Sequence, residues 1–136
     1  MNMDRYKREH VVILTDVSEL RKLVEGGISE NADGIAKAIV SMSSKIKLHL
    51  AAEDQFVYPA LANSADPAVA KLGKKFQEEM GGIAAAFMEF VGRWNLASKV
   101  AANPEGFRAD ANNIFKALHQ RIQNENQKLY PLVEQT

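Results

Sequence analysis

Apolar side chains recur at three- and four-residue intervals in four successive stretches, the pattern of amphipathic helices. Residues 3–25 carry Tyr6, Ile13, Leu14, Val17, Leu20 and Val24 on one side, with His10 inside the same stripe. Gly26-Gly27 is the permissive pair expected where such a helix ends, and Ser29 to Asp33 offers caps for the next. The second run, residues 34–58, gathers Ile35, Ile39, Met42, Ile46, His49, Glu53, Phe56 and Val57 into an arc of about 100°. Tyr58-Pro59 then kinks or ends it. Asp66-Pro67, a cap followed by proline, opens a third helix predicted over residues 67–98 through Val69, Leu72, Phe76, Met80, Ile83, Phe87, Phe90, Val91 and Trp94. Asn103-Pro104 repeats the device before a fourth run with Phe107, Ala111, Ile114, Phe115, Leu118, Ile122, Glu125, Leu129 and Leu132.

No stretch alternates in the manner of a strand. The expected fold is therefore all-α, an up-down-up-down four-helix bundle filling residues 1–136 as one domain. The chain also repeats itself. Glu53-Asp-Gln-Phe-Val-Tyr58-Pro59 has an echo in Glu125-Asn-Gln-Lys-Leu-Tyr130-Pro131, 72 positions later. His10-Val-Val-Ile13 corresponds to Met80-Gly-Gly-Ile83, 70 positions later. A duplicated helix hairpin accounts for both. Gly81-Gly82, inside a predicted helix, costs about 1 kcal/mol per residue relative to alanine and calls for a packing reason or a distortion.

Charge narrows the partners. Lys plus Arg and Asp plus Glu number 17 each, so no basic surplus points to nucleic acid or an anionic membrane. The absence of cysteine excludes disulfides, thiol nucleophiles and cysteine-bound metal. The charged N-terminus does not read as a signal peptide and no apolar run is long enough for a membrane span, so a cytoplasmic location is the default. No phosphate loop, dinucleotide fingerprint or nucleophile elbow is present, and binding or sensing ranks ahead of catalysis.

The chemistry lies in the polar residues that share the apolar stripes. His49 and Glu53, one turn apart, project from the same face of the second helix. With His10 and Glu125 they form a set of two imidazoles and two carboxylates suited to Fe(II), Mn(II) or Zn(II). A buried carboxylate costs several kcal/mol unless it is paired, protonated or metal-bound. Plainer explanations stay open: His10 as a core histidine, Arg121–Glu125 as an ordinary ion pair, Met80 as core packing or a soft ligand. His119 is a weak ligand candidate, about 160° around the helix from Arg121.

Residues 46–61, Ile-Lys-Leu-His-Leu-Ala-Ala-Glu-Asp-Gln-Phe-Val-Tyr-Pro-Ala-Leu, resemble the signature helix of hemerythrin-like HHE cation-binding domains. His10 with Ile13 resembles the first helix of that family, and residues 121–132 its fourth. The resemblance implies a non-haem diiron centre bridged by two carboxylates, used in oxygen binding, oxygen or nitric oxide sensing, or iron handling. It assigns His10 and His49 to one iron and Glu53 and Glu125 to the bridges. For the second iron the chain departs from the family: Met80 and Arg121 stand where histidines are required. Arginine stays protonated and is no metal ligand. Its guanidinium is expected between Glu53 and Glu125. One expectation is then at most one metal per chain, non-haem iron first, with dioxygen or nitric oxide as its ligand. The other is a metal-free helical scaffold acting through a protein partner or a second copy of itself.

Overall fold

The computed structural model describes residues 1–135. Four long helices carry the architecture: α1 (Asp4–Glu25), α2 (Ala32–Ala52), α4 (Pro67–Trp94) and α6 (Pro104–Asn124). Three short ones complete it: α3 (Tyr58–Ala62), α5 (Ala97–Ala102) and α7 (Tyr130–Gln135). No strand occurs among the described residues. The result is the all-α bundle that the periodicity predicts.

The helix ends follow local chemistry. Asp66 accepts from the Ala68 N–H at 2.9 Å and Asn103 from the Gly106 N–H at 3.0 Å, each ahead of a proline. Gly27 adopts φ 116°, a left-handed conformation that closes α1 and that a side chain would strain. Asn31 precedes α2 but does not cap it. Its side-chain amide turns back and donates to the Leu23 carbonyl at the end of α1.

Two departures from the predicted elements matter. The helix after Ala52 does not stop at Tyr58-Pro59. It widens into a π turn, Glu53–Val57, and continues as α3. Pro131 is preceded in the same way by a π turn, Glu125–Leu129. Proline offers no N–H and its ring clashes with the carbonyl four residues back, here Gln55 or Gln127. Widening the turn relieves that clash. The Tyr58 and Tyr130 N–H groups then reach back five residues, to the Glu53 and Glu125 carbonyls. The extra residue also rotates Phe56 outward, so that it is 55% exposed instead of joining the inner stripe. The third predicted helix ends at Trp94, short of residue 98, and α5 follows with Val100 in the core.

Gly81 and Gly82 are exposed, and a Cβ on either would meet nothing within 4 Å. No packing constraint requires them, and α4 runs through both without a break. Gly73 is the glycine that packing demands, since a Cβ there would lie 2.6 Å from Leu61 Cβ, where α3 crosses α4.

Two apolar clusters fill the bundle. One holds Ile13, Ile35, Ile39, Met42, Ile46, Phe87, Phe107 and Leu118, among others. The other gathers Tyr6, Val57, Tyr58, Leu61, Phe76, Met80, Leu129 and Tyr130 around the opposite end. Each fully buried aliphatic or aromatic side chain contributes roughly 1.5–3 kcal/mol. Between the clusters lies a polar layer.

Candidate metal centre

The polar layer is built by continuing each helix one turn past its apolar residues. On α1, His10 follows Tyr6 of one cluster and precedes Ile13 of the other. On α2, His49 follows Ile46, and Glu53 begins the first π turn. On α6, Arg121 follows Leu118, and Glu125 begins the second. All five side chains are buried, with exposures of 3% or less. One ligand atom from each of His10, His49, Glu53 and Glu125 lies within 4.8 Å of the other three. Among the described residues no other group of three or more metal-ligating side chains converges in this way.

Both histidines are gripped from outside. His49 Nδ1 pairs with Glu9 Oε1 at 2.8 Å, and His10 Nδ1 with Asn126 Oδ1 at 2.8 Å. With Nδ1 engaged on the outer side, each ring turns Nε2 toward the centre. His10 Nε2 sits 3.0 Å from Glu125 Oε1 and 3.0 Å from the Tyr130 hydroxyl. His49 Nε2 and Glu53 Oε1 are 3.0 Å apart but misaligned, and neither atom has a hydrogen-bond partner. Two unsatisfied buried polar atoms facing each other are costly, and a cation between such donors removes the cost.

Arg121 is fully buried beside them. Its Nε donates to Glu125 Oε2 at 3.1 Å, one terminal nitrogen donates to the Met80 carbonyl at 3.0 Å, and the other lies 3.6 Å from Glu53 Oε1. That last nitrogen also reaches the exposed Asp54 at 3.4 Å. The guanidinium thus lies between the two glutamates, where the spacing on α6 predicts it. Met80 supplies the apolar cluster with its side chain and Arg121 with its carbonyl.

Two tyrosines brace the carboxylates crosswise. Tyr58, after the first π turn, donates to Glu125 Oε2 at 2.8 Å; Tyr130, after the second, donates to Glu53 Oε2 at 2.5 Å. Each half of the repeat therefore holds the glutamate of the other.

The charges adjust accordingly. Burial lifts the Glu53 carboxyl above its usual range, against the pull of His49. Burial also pushes Glu125 upward, but the His10 contact and the Arg121 charge outweigh it and hold this carboxyl down at about 2. Burial disfavours a charged His49, yet Glu53 and Glu9 more than compensate and raise it. Both tyrosine hydroxyls are pushed up, by burial first and by the glutamates next, so they stay protonated donors.

The structure brings His10, His49, Glu53 and Glu125 together and leaves His119 exposed on α6, outside that layer. Sequence reasoning passed over Tyr58, Tyr130, Glu9 and Asn126. The tyrosines carried a signal, since Glu-x-x-x-x-Tyr-Pro occurs twice. In a regular α-helix, however, a residue five positions on lies about 140° around the axis. Only the wider π turn swings it to the face of the glutamate.

An all-α bundle with a buried layer of two histidines and two glutamates defines a class of helical proteins that could hold a cation at their centre. The chain matches the hemerythrin HHE cation binding domain over residues 1–133 and belongs to that family. No curated protein and no solved structure matches it.

Proposed function

We propose that this protein binds a single metal ion through His10, His49, Glu53 and Glu125, with non-haem iron as the resident metal. The observation that carries the reading is the pair of buried, unsatisfied atoms His49 Nε2 and Glu53 Oε1. Two imidazoles with carboxylate oxygens are the donor set of non-haem Fe(II) sites that keep coordination positions open. Iron bound there would supply a redox-active centre able to take dioxygen or nitric oxide, which suits binding, sensing or iron handling. The chain's own part is to orient and to exclude water. Glu9 and Asn126 fix the imidazole tautomers, the tyrosines hold the outer carboxylate oxygens, and the apolar clusters seal the layer from both ends.

The donors do not fit a second ion. Arg121 brings a permanent charge where a second cation would need histidine ligands. Its contacts favour a competing reading, a closed network that needs no metal, in a bundle acting through a protein partner.

Anaerobic Fe(II) titration separates the two. We expect one equivalent to bind per chain and His49→Ala to lose it. Two tightly bound equivalents would contradict the single site, and no uptake would establish the metal-free network.

A further inference from the structure

Of the long helices, α1 and α6 are neighbours that approach each other sparsely, and a groove of about 520 Å³ opens between them. Its size is that of a small-molecule pocket. It runs along α1 from Leu14 to Val24, about 15 Å at the rise of an α-helix. Leu14, Val17 and Phe115 form the floor, half-buried against the core with an apolar side left uncovered. Arg21, Arg108 and Lys116 stand on the rim, and no carboxylate lines the groove. In a chain whose acids and bases balance at 17 each, that local imbalance is a feature of the site.

The rim cations are largely uncommitted. Arg21 and Lys116 have no ion-pair partner among the described residues, and Arg108 meets only the exposed Glu105 at 3.8 Å. His119 lines the same groove, which gives it a place outside the metal layer. An apolar floor under a cationic rim is complementary to an anionic head on a hydrocarbon chain. A positively charged amphiphile would meet like charges, and a polar anion would leave the floor wet.

We propose that the α1–α6 groove binds a single-chain anionic amphiphile of the fatty-carboxylate class. Its chain would lie on Leu14, Val17 and Phe115, and its carboxylate would meet Arg21 and Lys116. The site is separate from the polar layer, so the proposal stands or falls independently of metal binding.

Calorimetric titration of the purified chain with sodium decanoate tests it, with decanol and decyltrimethylammonium as probes of the head group. We expect saturable one-to-one binding of decanoate with Kd below about 1 mM, weakening about tenfold in the Arg21→Glu, Lys116→Glu variant and with added salt. Both substitutions are at exposed positions, and circular dichroism will verify that the fold is kept. Amide shifts in labelled protein should map to α1 and α6. Three outcomes would overturn the proposal: no saturable binding, equal binding of the cationic amphiphile, or groove-dependent self-association that decanoate does not disturb.

Discussion

At the scale of single residues, Arg121 is the side chain on which the polar layer depends. It is a fully buried cation with two buried carboxylates beside it, so removing it leaves charge without a partner. Breaking one member of such a buried network costs about 3–5 kcal/mol. Arg121→Met should therefore lower the metal-free unfolding free energy by about that amount in urea titrations. The same variant should regain more stability from Fe(II) or Zn(II) than the parent does, because a metal then supplies the missing positive charge. An equal metal response in both proteins would count against the substitution of arginine for a cation. This residue was legible from the sequence. Arg121 is one turn before Glu125, and a buried guanidinium that close has few other partners. Glu9 and Asn126 were not legible, because each sits beside the stripe and acts only through the histidine it touches.

At the scale of elements, the helices were predictable and their distortions were not. Periodicity reads apolar stripes and caps, so the four long helices were expected close to where they lie. It assumes 3.6 residues per turn, and the two π turns break that assumption. Periodicity therefore predicts Phe56 inside and a break at Tyr58-Pro59, whereas Phe56 is exposed and Tyr58 is a bond donor to the central layer. The prolines mark where the turn must widen. Pro59→Ala together with Pro131→Ala removes that requirement and lets the backbone tighten toward α geometry. We expect a modest stability change, within about 1 kcal/mol, but a metal affinity weakened about tenfold as the tyrosines lose their alignment. Iron titration alongside a thermal melt measures both. Unchanged affinity would show that the prolines do not hold the turns open.

At the scale of the whole molecule, the repeat makes the two halves interdependent. Tyr58 belongs to the first half and holds Glu125, while Tyr130 belongs to the second and holds Glu53. Each is a bond to a buried carboxyl group and is worth about 1.5–3 kcal/mol when the carboxyl is charged. Tyr58→Phe, which frees the charged Glu125, should destabilise by about that amount, and Tyr130→Phe, whose partner Glu53 is lifted by burial, by less. The two glutamates share Arg121, so the double variant should depart from additivity by about 0.5 kcal/mol or more. A double-mutant cycle in urea gives the coupling directly, and strict additivity would mean that the halves are braced separately.

The buried guanidinium also bears on how such a protein meets scarcity. A metal ion must be acquired, can be chelated and can change valence, whereas an arginine arrives with translation and does none of these. With Arg121 between Glu53 and Glu125, part of the charge balance at the centre is encoded in the gene and owes nothing to metal supply. Folding of the centre would then not depend on metal. Under the proposed single-metal reading, folding and occupancy would be set separately, and occupancy alone would follow the free metal.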